Sequence, residues 1–429
     1  MPLVQAERGY DPGMTALLDL AAVLLALAAA FGYVNHRWLR LPHTIGLVVI
    51  ALAASLAILA LDLLFPALGF RATVRGAVEG IDFPDILMHG MLSFLLFAGA
   101  LHVDLSEIAR RKWAIGAMAS VGVVISTVLV GYAVYLLSGA LGLGLPFSYS
   151  LVFGALISPT DPIAVLGILK TVRVPPSLEA KIAGESLFND GVGIVVFTLL
   201  LAIAIGAEGG APVTALTVAE LFVLEALGGA ALGLAAGFVA YRAIGTIDEH
   251  NLEVLITLAL VALTYSVATM IHVSGPIAVV VAGLLIGNQG RRLAMSETTR
   301  DHLFKFWSLI DEVLNSVLFL IIGFEVLALG FTLGMAAAVL LAIPVVLAAR
   351  LAAVAIPIGA LSLRRDFTRG AIPVLTWGGL RGGISVALAL SLPDFPQKDL
   401  MLAMTYGVVI FSIVVQGLTV EHVVRRTVG

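Results

Sequence analysis

The chain has 429 residues, of which 60% are hydrophobic and only 12% charged, and its mean hydropathy is +1.08. A soluble domain carries about a quarter charged residues, so a cytosolic enzyme is excluded. An outer-membrane barrel is excluded too, because the apolar residues come in runs of about 20 and not in alternating segments of about 10. A net charge of −4 offers no basic excess to nucleic acid, and the absence of cysteine removes disulfides and thiolate chemistry.

In chain order, apolar stretches long enough to cross a bilayer lie near residues 14–33, 42–61, 86–102, 113–138, 148–169, 185–206, 216–241, 252–272, 276–289, 308–329, 333–360, 371–391 and 400–420. These thirteen predict an all-α polytopic membrane protein, with the third stretch interrupted by His89 and the ninth short. Glu7 and Asp11 stand where a cleavable signal needs positive charge. Lys and Arg collect on one side, among them Arg37, Arg40, Arg110, Arg111, Lys112, Lys170, Arg173, Arg291, Arg292, Arg364, Arg365, Arg369, Arg425 and Arg426. The other side has Arg8, Arg71, Arg75 and Lys398. Cytoplasmic loops hold the positive excess, which predicts a multi-pass protein of the cell membrane with its N-terminus outside and its C-terminus in the cytoplasm. Arg350 and Arg381 then fall within the membrane.

Thirteen segments divide into six, a linker and six, and the two halves acquire inverted topology, which is a transporter's plan. The fifth segment of one half contains Ser158-Pro159-Thr160-Asp161-Pro162 and its counterpart contains Gly378-Gly379-Leu380-Arg381-Gly382-Gly383. Prolines remove amide donors and glycines carry the largest entropic cost of helix formation, so both segments are expected to break. Unwound backbone survives in a bilayer only where protein or a wet cavity satisfies it. If the breaks meet, Asp161 faces the positive half-helix ends and Arg381 the negative ones. A proline kink beside a glycine packing face is the plainer alternative.

The sixth segment opens with Gly184-Glu185-Ser186-Leu187-Phe188-Asn189-Asp190. Carboxylates at that depth are costly and read as functional. Ser186 and Asp190 share one helix face at i, i+4, and Glu185 shares the adjacent face with Asn189. Asp190 with Ser186 supplies oxygens for a small hard cation, and Thr160 and Asp161 are candidates to add to them. Burial favours the protonated carboxyl and a bound cation the ionised one, so Asp190 is expected to hold either a proton or a metal ion. With Asn189 neutral, one proton leaves per monovalent cation and exchange is electroneutral; a second carboxylate at 189 would permit two. Glu185, on the other face, is assigned to Arg350 as an ion pair; in the competing reading Arg350 snorkels to the cytoplasmic edge. Asp19, Asp62, Glu220, Glu225, Asp311, Glu312 and Glu325 read as interfacial or funnel residues without a transport role, and the eight histidines show no metal-ligand spacing.

The stretches ISPTDPIAVLGILK, GESLFNDGVGIVVF, VLNSVLFLIIGFEV and WGGLRGGISVALAL resemble the NhaP/NHE branch of the cation:proton antiporters. The resemblance spans nearly the whole membrane domain in the family's order. It implies the NhaA-like antiporter fold, with inverted six-helix repeats and two broken crossing helices. It also implies Asp190 as carrier of cation and proton, Ser186 and Thr160 as ligands and Asn189 as the neutral orienting partner. A Glu185–Arg350 pair and helix-crossover roles for Asp161 and Arg381 come with it. Further implications are a homodimer and an elevator motion of a core bundle (about 113–206 and 333–420) against a dimerisation bundle (about 14–102 and 216–329). Sodium or lithium is the cation usually traded for protons. Many prokaryotic relatives carry an acid in the third segment where this chain has Ala98, and with the sequence ending soon after its last segment, a regulatory tail like that of animal exchangers is not expected unless the sequence is truncated there.

Other classes fit less well. A potassium:proton or non-selective exchanger of the same fold is the near alternative. An intramembrane aspartyl protease built on Asp161 and Asp190 leaves the second break and both arginines unexplained. Ser186 as a hydrolase nucleophile lacks a complete elbow and a base. A channel needs a continuous polar lining, whereas the carboxylates here lie at one depth. The reading is therefore of a transporter with no cofactor and no enzymatic role, whose partners are a cation, protons and the lipid bilayer.

Overall fold

The computed structural model describes residues 12–65, 90–161, 165, 176–209, 215–325, 332–363 and 370–427. Glu7, Arg8, Asp11, Arg71, Arg75, His89, Pro162, Lys170, Arg173, Arg364, Arg365 and Arg369 lie outside the described residues. Within them all regular structure is helical, save one isolated antiparallel bridge.

The helices are α1 (Pro12–Val34), α2 (His43–Leu64), α3 (Leu92–Leu101), α4 (Leu105–Ala140, with a π-turn at Met118–Gly122), α5 (Phe147–Leu156) and α6 (Pro176–Gly209). They continue as α7 (Ala215–Ile244), α8 (His250–Met270), α9 (Gly275–Leu285), α10 (Glu297–Glu325) and α11 (Leu333–Ser362). The last are α12 (Ala371–Trp377), α13 (Gly383–Leu390) and α14 (Lys398–Thr427, with a π-turn at Ser412–Gln416). Among the described residues nine helices are long and apolar enough to cross a membrane; the other predicted stretches hold α3, α5, α9 and the α12–α13 pair.

Several helices start well before their apolar stretch does. α4 begins at Leu105 rather than near 113, α6 at Pro176 rather than 185, and α10 at Glu297 rather than 308. Polar turns at a helix end carry no hydropathy signal, yet their backbone bonds are the same. The start of α4 shows why: Asp104 caps it, accepting from the Ser106 amide at 2.8 Å. Arg110, Arg111 and Lys112 consequently sit on a helix, where Glu107 pairs with both arginines.

The hydrogen bonds from Ser106 hold the Asp104 carboxyl below its ordinary value of 3.8. A depressed carboxyl stabilises the folded form above the unfolded pKa and ceases to do so as pH falls through the lower folded value. Asp104→Ala is expected to cost about 1 kcal/mol in the first turn of α4. Hydrogen exchange of the amides of residues 105–108 at neutral pH checks this, and the difference from the native chain is expected to vanish in strong acid.

The chain falls into two compact units, residues 1–82 with 316–328, and residues 83–315 with 329–429. In the first, Ala28, Ala51 and Leu320 form a core flanked by Leu24, Leu27, Phe31 and Phe324. A Cβ at Gly323 would collide with Ala51, and the Ser55 hydroxyl donates to the Gly323 carbonyl at 2.9 Å. The second unit uses small residues in the same way, because in lipid the gain from packing depends on close backbone approach. Gly131 lies against the Leu151 backbone and Gly154 against the Thr127 carbonyl, pressing α4 onto α5; Gly233 lies against the Ala278 carbonyl, pressing α7 onto α9.

Candidate functional site

Helix α5 ends at Leu156 and α12 at Trp377, and the chain is unwound at residues 158–161 and 378–382. The two unwound stretches touch. The Asp161 amide donates to the Leu380 carbonyl at 2.8 Å, which is the isolated bridge noted above. Backbone groups freed at a helix end need partners inside a bilayer. Arg381, 2% exposed, supplies some: its Nη1 donates to the Ser158 carbonyl and, at 2.9 Å, to that of Pro159. The Arg381 amide donates to Ser412 Oγ at 2.9 Å; Ser412 in turn donates to Gln416 Oε1 at 2.7 Å, and Gln416 Nε2 donates to the Trp377 carbonyl at 3.0 Å. The π-turn of α14 thus braces the second break. The Ser158 hydroxyl holds the first, donating to Gly154 O at 2.6 Å and lying 2.9 Å from Ser126 Oγ of α4.

Glycine serves this crossover by leaving space. Gly382 has an extended backbone (φ −133°, ψ −155°) open to any residue, but a Cβ there would run into the Asp161 carboxylate. At Gly379 a Cβ would meet the Arg350 guanidinium, and at Gly193 of α6 the Pro159 ring. Gly382→Ala is expected to lower transport at least about tenfold, since small displacements of reacting groups cost that much or more. Gly359→Ala in α11, where nothing lies within 4 Å of the new methyl, is expected to leave transport unchanged; cation:proton exchange by the two variants in proteoliposomes checks both.

Helix α6 carries its polar face to the first break. Asn189 Nδ2 donates to Thr160 Oγ1 at 2.7 Å, the Thr160 amide donates to Asn189 Oδ1 at 3.3 Å, and the Thr160 and Ser186 hydroxyls are 3.0 Å apart. Ser186, Asn189 and Thr160 are all buried. Asp190, one turn beyond Ser186 and 7% exposed, differs: its Oδ1 is buried and has no hydrogen-bond partner among the described residues. A buried acceptor left unpaired is costly, and a cation or a proton relieves that cost. The half-buried Asp161 is close enough for its charge to act on both Asp190 and Asp311.

Glu185, 1% exposed, meets Arg350, 6% exposed, in a bidentate pair: Nη1 to Oε1, and Nη2 to Oε2 at 3.0 Å. Arg350 also donates to the Leu375 carbonyl of α12 from Nε at 3.3 Å and Nη2 at 2.9 Å. Arg350 is thus held inside the protein by Glu185 and the Leu375 carbonyl. All eight residues singled out from sequence, Thr160, Asp161, Glu185, Ser186, Asn189, Asp190, Arg350 and Arg381, lie in the second unit.

Asp311 lies elsewhere along its helix than the sequence reading places it. It reads as a segment-end residue only because the apolar stretch starts near 308. With α10 running from Glu297 to Glu325, Asp311 sits at mid-helix, and Asn315 Nδ2 donates to its Oδ1 at 3.0 Å. The i, i+4 pairing of Asp311 and Asn315 was a signal available in the sequence. Ala98 is buried in α3 and brings no carboxylate.

Residues 23–426 match the family described as sodium/hydrogen exchanger, transmembrane. The chain is 49% identical over 416 residues to the Na(+)/H(+) antiporter NhaP of Pseudomonas aeruginosa, covering 96% of this chain and 97% of that protein. It is 33% identical over 424 residues to the Na(+)/H(+) antiporter NhaH of Halobacillus dabanensis, covering 97% and 98% respectively. The solved structure of the sodium proton antiporter MjNhaP1 from Methanocaldococcus jannaschii at pH 8 superposes with a TM-score of 0.75 over 97% of this chain and 99% of that one; at 18% identity this shows a shared fold. The chain therefore belongs to the sodium/hydrogen exchanger family, in its NhaP-type branch, and is a transporter rather than an enzyme.

Proposed function

We propose that this chain exchanges one sodium ion for one proton at Asp190. The observation that carries the reading is the buried, unpartnered Asp190 Oδ1, one helical turn from Ser186 and beside the meeting point of two broken helices. A sodium ion there takes oxygens from Asp190, Ser186 and Thr160; a proton on Asp190 replaces it. Asn189 has both ends of its amide engaged with Thr160, so it orients the ligand and carries no charge of its own. The loaded site then has the same net charge with either passenger, and exchange is electroneutral. Lithium, a smaller hard cation, is a second substrate on this account.

The rest of the transport model follows the sequence reading: thirteen crossings in two inverted halves, N-terminus outside, C-terminus in the cytoplasm, and a homodimer in the cell membrane. The core bundle (about 113–206 and 333–420) moves against the dimerisation bundle (about 14–102 and 216–329) as an elevator, giving alternating access. Asp161 and Arg381 balance charge at the crossover, and Glu185 with Arg350 locks α6 to α11.

The test is proteoliposome exchange with an imposed pH gradient and added sodium, lithium or potassium. Dissipation by sodium or lithium, at a rate indifferent to membrane potential, is expected; net charge movement or a potassium-only response sinks the proposal. Asp311→Asn removes a charge that shares the field of Asp161, and a several-fold rise in the sodium concentration for half-maximal exchange is expected, with the maximal rate retained. An unchanged sodium titration would show Asp311 to be a bystander.

A further inference from the structure

We propose that the turn between α1 and α2 holds the phosphate of an anionic phospholipid. Gly32, Asn35, His36, Arg37, Arg40, Leu41 and His43 line an open cavity of about 580 Å³ in the first unit. Its lining has two arginines and two histidines and no acid, and neither Arg37 nor Arg40 forms an ion pair with a described residue. Two arginines lining one open space with no acid beside them attract an oxyanion such as phosphate by charge.

The turn is built to keep them there. Asn35, 3% exposed, donates from Nδ2 to the Leu41 carbonyl at 2.9 Å and accepts from the Leu41 amide at 3.1 Å. Arg40 is thereby fixed in the left-handed region at φ 55°, a conformation rare for a residue other than glycine, with its amide bonded to Asn35 O at 2.6 Å. Gly46 makes room for Asn35, because a Cβ there would overlap its side chain. His43 is oriented by Ser316, with Nε2 and Oγ 2.9 Å apart. These are fixed positions for exposed cations, not a solvated charge run.

A lipid, rather than free phosphate, is favoured by what flanks the cavity. Tyr33 and Trp38, each 65% exposed, meet edge to face at 6.2 Å, and Leu39 is exposed beside them. Aromatic residues of this kind settle at the headgroup level of a bilayer, and basic pockets between crossing helices are where anionic headgroups collect. Val23 and Leu25, about two to three turns before Tyr33 on α1, are exposed apolar residues of the kind that acyl chains cover.

The experiment is native mass spectrometry of the delipidated full chain titrated with phosphatidylglycerol, with phosphatidylcholine of the same acyl chains, and with inorganic phosphate as competitor. Selective retention of phosphatidylglycerol is expected. Each cation near such a headgroup is worth about fivefold in affinity, so R37Q/R40Q is expected to weaken binding on the order of twentyfold. R37K/R40K, which keeps the charge, is expected to stay within a few-fold of native. Equal uptake of the two lipids, unchanged binding by R37Q/R40Q, equal loss in both double variants, or displacement of the lipid by millimolar phosphate each overturns the proposal.

Discussion

Asp190→Asn is expected to bring sodium-driven proton movement down to the level of empty liposomes while leaving the protein folded. An amide has nearly the volume of a carboxylate and can hydrogen-bond, so packing in α6 is kept, but it takes up no proton near neutral pH and contributes no charge to a cation. Both halves of the exchange fail together. In the native chain the proposed competition is expected to set a direction: as pH falls, protons displace sodium, and the sodium concentration for half-maximal exchange is expected to rise, approaching about tenfold per pH unit where one proton competes with one ion. Exchange that survives the substitution, or a sodium titration indifferent to pH, would refute a shared site. The checks are dequenching of a pH-sensitive dye in vesicles and circular dichroism of the purified variant.

Arg350→Ala is expected to destabilise the protein by about 3 to 5 kcal/mol, because it leaves the Glu185 carboxylate buried without its partner. The Leu375 carbonyl loses a donor in the same change, which loosens α12. Glu185→Gln is expected to cost less, since Gln accepts from the guanidinium although without charge. The double variant Glu185→Leu with Arg350→Met restores an uncharged interior and is expected to recover most of the melting temperature lost by either single change, as replacement of a buried pair by apolar residues often does. Thermal unfolding in detergent followed by intrinsic fluorescence reads all four proteins. If Arg350→Ala melts with the native chain, the pair is not structural.

The sequence exposes this site unevenly, for physical reasons. Asp190, Ser186 and Asn189 stand out because hydrocarbon depth makes any polar residue conspicuous, and the i, i+4 spacing fixes their faces without a structure. Both breaks are visible because proline and glycine act locally on the backbone. The mid-helix place of Asp311 is not legible, since the polar first turns of α10 carry no hydropathy signal. The roles of Gly379 and Gly382 as clearance for Arg350 and Asp161 were out of reach, because that need arises from residues distant in the chain. So was the bracing of the second break by Ser412 and Gln416, polar side chains inside an apolar stretch with no local sign of their targets.

The crossover has a mechanical corollary. Its two unwound stretches are joined by Asp161 to Leu380 and by Arg381 to Ser158 and Pro159, while Thr160 is bonded to Asn189 of α6 and Arg350 to Leu375. No one of these parts is free to shift alone without stranding polar groups in hydrocarbon. A displacement of any one of α5, α6, α11, α12 and α13 therefore carries the others with it, and under the alternating access proposed above the sliding surfaces have to be sought at the periphery of this cross-braced group.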